Sequence, residues 1–351
     1  MTNSEPDTDA EAETDTDAEA ETDTGTGTDI GTDWYERSGV RSGPHRTVTG
    51  PLDPATRLFP PHLVPYWSHP LVRDLPDRRR HELLARHLYQ YLTFTAHFET
   101  RVVNRATERI ADGRTGLALP AAVRLDAYRI YCDEGYHALF SLDLVEQLAE
   151  ATGIPPLPYA FDPFLRQLDG IGSELLPGEP LLAQLLQVVV FETLVTPALD
   201  EVPGDRAVLP VVRDVVRDHA RDEDHHHVYF SRFFERLWGD LPVPLKRRAA
   251  RCLPELIVAG VAPDLRPVGA ALTVAGLRAD AVRQVIADSY RTRRSEDALR
   301  SAAARTVRLF RDAGVLELPG ATEAFEAAGL LPGASDPPTA PGDQTPETSE
   351  A

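Results

Sequence analysis

Apolar residues recur at intervals of three and four positions along four long stretches of the chain. This spacing is the period of an α-helix and predicts four long helices. The four segments are about 76–113, 120–153, 179–201 and 205–239. The same spacing predicts further helices at about 244–260, 268–291, 294–313 and 321–328. We find no convincing pairs of segments with the alternation typical of β-strands, so the sequence predicts an all-α protein.

Each of the four long apolar stripes is interrupted by a carboxylate. The four residues are Glu99, Glu134, Glu192 and Glu223. In the second and fourth segments a histidine follows three residues later, at His137 and His226. Burying acidic groups is costly unless something compensates their charge, and no Lys or Arg occupies the same stripes. This argues against a bundle with buried salt bridges and favours bound metal ions.

The arrangement of these residues is typical of a dinuclear metal site in a four-helix bundle. Such bundles take one Glu from each of two helices and a Glu-x-x-His motif from each of the other two. Four carboxylates nearly neutralise two divalent cations, and each imidazole adds a neutral nitrogen donor. Glu99 and Glu134 are 35 residues apart, and Glu192 and Glu223 are 31 apart, which predicts two antiparallel hairpins. The longer connection between them indicates a ferritin-like four-helix bundle with additional helices.

Three further polar residues accompany the motifs. Asp133 and Asp222 each precede a motif glutamate. Because a metal-bound imidazole usually donates its other N–H to a carboxylate, we expect each Asp to accept from a ligand on the opposing helix; the alternative is a pair of surface acids. His219 lies one turn before Glu223 on the same stripe. It is either a third imidazole ligand or a core histidine bonded to a neighbour.

With His219 included, the chain resembles a known enzyme family. The order Glu, Glu-x2-His, Glu, His-x3-Glu-x2-His is that of the p-aminobenzoate N-oxygenases, the di-iron arylamine oxygenases of the aureothin and chloramphenicol pathways. All seven positions match, at Glu99, Glu134, His137, Glu192, His219, Glu223 and His226. The resemblance implies that one iron binds Glu99 and His137. It implies that the other binds Glu192, His219 and His226, with Glu134 and Glu223 bridging.

The resemblance also implies the reaction. The enzyme would use O2 to N-oxygenate an amine, an arylamine that becomes a hydroxylamine, nitroso or nitro compound, in antibiotic or other specialised-metabolite biosynthesis. The cofactor would be two iron ions, although carboxylate and imidazole ligands also accept manganese. No flavin or ferredoxin motif is present, so electrons would come from an external donor. A homodimer is also implied. The first alternative is a di-iron C–H hydroxylase or desaturase. An iron-storage or electron-transfer bundle ranks below it.

Residues that could line a substrate pocket lie within two turns of the lone glutamates. The candidates are Tyr91, Phe94, Thr95, Phe191 and Thr196. Aromatic and Thr residues near a bundle core are equally common as packing groups. His225 and His227 point about 100° to either side of the ligand stripe, which favours exposed or supporting roles. The four long helices offer no evident cation for a substrate carboxylate.

Composition divides the chain into four parts. Residues 1–33 hold twelve acidic residues and no Lys or Arg, so −7 of the net charge of −19 belongs to the remainder. Low hydrophobicity and unopposed charge predict a disordered acidic tail there. Residues 34–75 are rich in Pro and Gly and predict an extended arm. The ferritin-like domain is predicted over 76–332, and a second disordered tail over 333–351.

Composition argues against several function classes. The acidic balance argues against a nucleic-acid partner. There is no run of about 18 apolar residues, so no membrane span is predicted. The two cysteines, Cys132 and Cys252, cannot form a disulfide framework. The N-terminus has neither the basic nor the apolar region of a secretion signal, which favours a cytoplasmic location.

Overall fold

A computed structural model describes residues 34–50, 52–53, 56–194, 196–290 and 293–332. The two tails predicted to be disordered, 1–33 and 333–351, lie outside the described residues. Within the described part, the chain forms helices and no strands. Its one β-type contact is an isolated parallel bridge between Arg57 and Val208. The all-α prediction is confirmed.

The helices follow one another with short connections. The α-helices are α1 (Trp34–Arg37), α2 (Gly39–Ser42), α3 (Pro70–Arg73), α4 (Asp77–Phe98), α5 (Asn104–Ala111), α6 (Ala121–Thr152), α7 (Asp162–Leu175), α8 (Pro180–Thr193), α9 (Pro197–Glu201), α10 (Pro210–Asp240), α11 (Val243–Val261), α12 (Leu265–Val274), α13 (Ala279–Tyr290), α14 (Arg293–Asp312) and α15 (Ala321–Ala327). Short 3-10 helices cover Pro61–Leu63, Val202–Gly204 and Val315–Glu317, and a π-helical turn covers Glu99–Val103.

The central bundle consists of α4, α6, α8 and α10. Helix α4 packs along α6, and α8 packs along α10, which also contacts α6. The first pair is antiparallel: Tyr89 near one end of the hairpin bonds to Thr152, and Arg124 near the other end donates to the carbonyl of Ala111. The arrangement follows from amphipathic helices that must bury their apolar stripes against one another.

The bundle has two apolar cores with a polar layer between them. On α6, Val123–Ile130 contributes to one core and Leu144–Leu148 to the other. On α10, Val212–Val216 belongs to the second core and Tyr229–Trp238 to the first. The predicted ligand positions lie on the stretch between them. Water is therefore displaced on both sides of the layer, which raises the cost of any unpaired charge inside it.

Two of the four long helices are interrupted where the sequence predicts continuous ones. The segment predicted at 76–113 passes through the π-helical turn Glu99–Val103. The segment predicted at 179–201 ends at Thr193 and resumes as α9 at Pro197. Thr196 has extended dihedrals, φ −100° and ψ 129°, because a residue before proline disfavours the α conformation. Glu99 begins the π-helical turn, and Glu192 lies at the last turn before the gap.

The C-terminal helices follow the prediction with one correction. The single helix predicted at 268–291 is two helices, α12 and α13. They are separated at Gly276, whose φ of 103° lies in a region that glycine adopts without strain. The other three are found as α11, α14 and α15, within a few residues of the predicted bounds.

Two segments pass a test of length and mean hydropathy for membrane spans, although neither contains an unbroken run of about 18 apolar residues. They are Pro180–Gly204, with mean hydropathy 1.6, and Val243–Val274, with mean hydropathy 1.3. In the first, 71% of the apolar window is buried inside the protein, and in the second 28%. The core helix of a bundle passes the same test, so two such segments are weak support for a membrane.

Candidate metal centre

The polar layer of the bundle brings together all seven residues predicted as metal ligands. Helices α4, α6, α8 and α10 supply them, with Glu99 at the end of α4 and Glu192 near the end of α8. Six of the seven are at most 8% exposed, namely Glu99, Glu134, His137, Glu192, His219 and His226. Three of the acids and all three imidazoles thus lie inside a protein core, which requires strong compensation.

The seven residues form two groups that share one carboxylate. In each group, one nitrogen or oxygen from every member lies within 4.8 Å of the others. We call Glu99, His137, His219 and Glu223 the Glu99 cluster. We call Glu134, Glu192, Glu223 and His226 the Glu192 cluster. Glu223 belongs to both, as expected of a residue that bridges two ions.

Unpaired buried atoms at this site fit bound cations. Glu99 Oε2, Glu134 Oε1, Glu192 Oε2 and His226 Nδ1 have no hydrogen-bond partner. Leaving such atoms buried and unpaired costs free energy, which a metal ion would recover. Among the described residues, Arg86 is the one Lys or Arg that is buried, and it pairs with Glu82. Salt bridges with buried Lys or Arg side chains therefore do not account for the four acids.

The carboxylates divide by their protonation. Burial raises the pKa of Glu99 to about 7. Burial, followed by repulsion from Glu223, raises the pKa of Glu192 well above its usual value. For Glu223, the neighbouring imidazoles of His219 and His226 outweigh burial and hold the pKa well below its usual value. The pKa of Glu134 is also lowered, because His226 and His137 outweigh the effect of burial.

The pKa values of the three imidazoles are raised. Burial and the neighbouring His137 oppose the charge on His219, but Glu99 and Glu223 raise its pKa to about 9. His137 and His226 also have pKa values well above normal, because their carboxylate partners outweigh burial. Metal binding would have to displace these protons, since an imidazole coordinates through a free nitrogen.

His219 lies in the group opposite to the one that the family resemblance implies. Its Nε2 is 3.1 Å from Glu99 Oε1 and 3.0 Å from Glu223 Oε1. Its ring stacks on His137 with centroids 4.0 Å apart. His219 and His226 are seven residues apart, or about 10 Å along the helix, with Glu223 between them. His219 therefore lies beside Glu99, and its pairing with Glu192 and His226 stays a prediction.

Asp133 and Asp222 lie next to ligand histidines across the bundle. Asp222 Oδ2 is 3.2 Å from Nε2 of His137, and Asp133 Oδ2 is 3.4 Å from Nε2 of His226. In both histidines Nδ1 faces the glutamates. This is the geometry in which a carboxylate fixes the orientation of a ligand imidazole.

Residues 34–40 also reach these two aspartates, a contact that the sequence analysis did not predict. The indole Nε1 of Trp34 lies 2.9 Å from Asp133 Oδ2, and Ser38 Oγ lies 2.8 Å from Oδ1. The backbone N–H groups of Gly39 and Val40 donate to Asp222. Sequence periodicity predicts which face of a helix is buried. It does not predict these contacts, because they come from short helices that precede the bundle.

The substrate-pocket candidates fall into two groups. Tyr91 hydrogen-bonds to Thr95 and Thr196, and burial and the nearby Glu99 and Glu223 raise its pKa. These three hydroxyl groups therefore lie close to the carboxylates. Phe94 instead packs on an aromatic cluster formed by Phe98, Phe161 and Phe164. Phe191 stacks edge-on against Phe98. The structure thus places both phenylalanines in packing positions.

A cavity of about 170 Å³ opens onto the site where α8 ends. It is lined by Glu192, Leu194, Thr196, Leu199, Asp200, Ala220, Glu223, Asp224, His227 and Arg305. Arg305, on α14, is the cation in this lining. Burial, followed by the charge of Arg305, lowers the pKa of His227. His225 is exposed and contacts the carbonyl of Arg221. The sequence signal for the cavity was Thr196-Pro197, which ends the helix.

Comparison with known proteins agrees with this site. The model of the family p-aminobenzoate N-oxygenase AurF matches residues 49–314. A 4-aminobenzoate N-oxygenase of Streptomyces thioluteus is 24% identical to the chain over 276 residues. The aligned region covers 78% of this chain and 76% of that protein. All seven candidate ligands lie within the matched segment.

Proposed function

The chain belongs to the p-aminobenzoate N-oxygenase family, and we propose that it uses O2 to oxidise the nitrogen of an arylamine at two iron ions. The observation that carries this proposal is the pair of buried clusters sharing Glu223. His219 supports it further, because it supplies the third imidazole of the family pattern. A C–H hydroxylase or an iron-storage bundle is less consistent with a third imidazole.

Different residues would bind the metals, orient the imidazoles and exclude water. One ion would be held by the Glu99 cluster and the other by the Glu192 cluster, with Glu223 shared between them. The metal pair supplies the activation of O2. Asp133 and Asp222 would keep the imidazoles of His226 and His137 turned toward the metals. The two apolar cores exclude water from the layer, which limits loss of the activated oxidant to solvent.

The cavity beside Glu192 would bind the substrate. Its lining includes Glu192 and Glu223 together with Thr196, His227 and Arg305. An arylamine bound with its nitrogen toward the two glutamates would put a ring substituent near Arg305. A guanidinium pairs well with a carboxylate, so we propose a substrate that carries an anionic group. The cited relative acts on 4-aminobenzoate by its name, a molecule of this type.

Turnover of two matched amines tests the proposal. The iron-loaded protein, supplied with reductant and O2, should convert 4-aminobenzoate to hydroxylamino, nitroso or nitro products, identified by mass spectrometry. Arg305→Gln should raise KM for 4-aminobenzoate at least about tenfold through loss of the ion pair and leave KM for uncharged 4-aminobenzamide nearly unchanged.

His219→Ala should abolish product while circular dichroism shows the helices intact. A ring-hydroxylated product would favour the hydroxylase alternative, and ferric mineral alone the storage alternative.

Metal identity and cellular role extend the proposal. We propose iron over manganese because of the family, and elemental analysis of protein purified without added metal distinguishes the two. An external electron donor would reduce the site. A cytoplasmic enzyme of antibiotic biosynthesis agrees with the composition and with the family.

A homodimer would have a suitable surface on α6. Leu125, Tyr128, Leu139 and Leu142 lie on one face of that helix and are between 41% and 57% exposed. Their spacing of three, eleven and three residues keeps them on a single stripe. Gly135 lies near the middle of the stripe, and a Cβ there would meet no atom within 4 Å. A second copy packed against this face would cover the exposed leucines.

A further inference from the structure

The segment before the family match reaches both ligand-orienting aspartates. Residues 34–48, which we call the N-terminal arm, precede residue 49, where the match begins. Helix α2 of the arm contacts both α6 and α10. These are the two helices that carry Asp133 and Asp222.

The arm completes the hydrogen bonding of both aspartates. Asp133 is 3% exposed and Asp222 is 2% exposed. Trp34 and Ser38 donate to Asp133. The N–H groups of Gly39 and Val40 donate to Asp222 at 2.5 and 3.1 Å. A buried carboxylate needs several donors to stay charged, and here they come from a segment of seven residues.

Steric fit holds the arm in one position. A Cβ on Gly39 would lie 2.2 Å from the backbone oxygen of Asp218 on α10, so only glycine permits this approach. Further along the arm, Arg46 donates to both carboxylate oxygens of Asp218 at 2.8 and 3.1 Å. The N–H of Val48 donates to Gln147 on α6. The arm is therefore anchored on both helices.

We propose that the N-terminal arm is a positioning element of the metal centre, in which Trp34, Ser38 and the Gly39–Val40 backbone fix two aspartates and, through them, both clusters. Asp133 orients His226 of the Glu192 cluster, and Asp222 orients His137 of the Glu99 cluster. One short segment thus controls a ligand of each ion. The inference rests on the proposed two-metal site.

Ferrous iron affinity of the full-length protein tests this without substrate or O2. Gly39→Ala should displace the arm, raise deuterium uptake over 34–48 and weaken both ions about 10- to 100-fold, the usual cost of losing a partner of a ligand imidazole. The matched control is Gly170→Ala, a helical glycine whose added Cβ meets nothing within 4 Å. It should bind two ions as the wild type does.

A second variant removes the donors without forcing the arm away. Trp34→Phe combined with Ser38→Ala leaves the bonds to Asp222 intact, so it should weaken one ion about tenfold and spare the other. Tyr35→Phe, at a side chain that is 59% exposed, is its control. Wild-type affinity for both ions in Gly39→Ala, or in the combined Trp34→Phe and Ser38→Ala variant, would overturn the proposal. A wild-type protein that binds no iron would instead contradict the proposed function itself.

Discussion

The helices that carry Glu-x-x-His differ from the helices that carry a single glutamate. Helices α6 and α10 run without a break for 32 and 31 residues. The other two are irregular at their ligand, with a π-helical turn starting at Glu99 and a helix end just after Glu192. The protonation of the ligands follows the same division. The pKa values of Glu134 and Glu223 are lowered, and those of Glu99 and Glu192 are raised.

This difference separates two roles within one site. The regular helices bring all three imidazoles and their aspartates together, and fixed hydrogen bonds make that half rigid. The irregular helices contribute carboxylates that are held mainly by burial. π-Helical turns are frequent at functional sites, and the end of α8 opens the cavity beside Glu192. The regular pair therefore fits a role in holding the ions, and the interrupted pair a role in giving substrate and O2 access to them.

The largest expected effect distinguishes a shared ligand on a regular helix from a lone ligand on an interrupted one. Glu223→Ala removes a member of both clusters, so bound iron should fall below about one ion per chain, because each site loses a charged ligand. Glu192→Ala leaves the Glu99 cluster intact, so about one ion should remain. Elemental analysis measures both.

The control for these variants lies on the same helix. Glu235→Ala changes an exposed glutamate of α10 and should leave two ions bound. Loss of both ions in Glu192→Ala would contradict the division into two clusters. Equal retention in Glu192→Ala and Glu223→Ala would contradict the shared position of Glu223.

The next effect is a pH dependence of the metal-free protein. His219 has a pKa of about 9 when folded against 6.5 when unfolded, so its contribution is complete below pH 6.5 and is lost as pH rises to 9. That loss is on the order of 3 kcal/mol. Glu99, raised to about 7, acts in the same direction, since it favours the fold when protonated and this is lost as pH rises from about 4.5 to 7.

Thermal unfolding from pH 6.5 to 9 measures this effect. Tm of the metal-free protein should fall with rising pH. The iron-loaded protein should show little of this fall, because coordinated imidazoles are already deprotonated. His219→Ala should reduce this fall in the metal-free protein, and the raised pKa values of His137 and His226 should account for what remains. A metal-free Tm that rises over this range would show that the imidazoles are not held as cations by the glutamates.

Sequence periodicity located the candidate ligands because all seven lie on helix faces that the apolar pattern defines. It also located Asp133 and Asp222, because each directly precedes a motif glutamate. The order of the motifs then indicates that each Asp faces a histidine on the opposing helix. It did not reveal that the N-terminal arm and Arg305 contact the site. Both reach the site by tertiary packing across more than 70 residues of sequence. It also predicted continuous helices through Glu99 and Glu192. Thr196-Pro197 was a local signal for the second interruption, whereas the π-helical turn has no comparable signal in the sequence.

The smallest effect tests how tightly the interrupted helix α8 is held. A Cβ on Gly260 of α11 would lie 2.3 Å from Cε1 of Phe191, the residue before Glu192. Gly260→Ala should destabilise the protein by about 1–3 kcal/mol, the usual cost of overpacking, and should weaken the ion of the Glu192 cluster more than the other. In the control Gly269→Ala, the added Cβ meets Ile286 at an ordinary 3.7 Å. That variant should gain up to about 1 kcal/mol from helix propensity. Denaturant unfolding compares the two, and equal stability would mean that Phe191 yields freely and that α8 is loosely held beside the metal site.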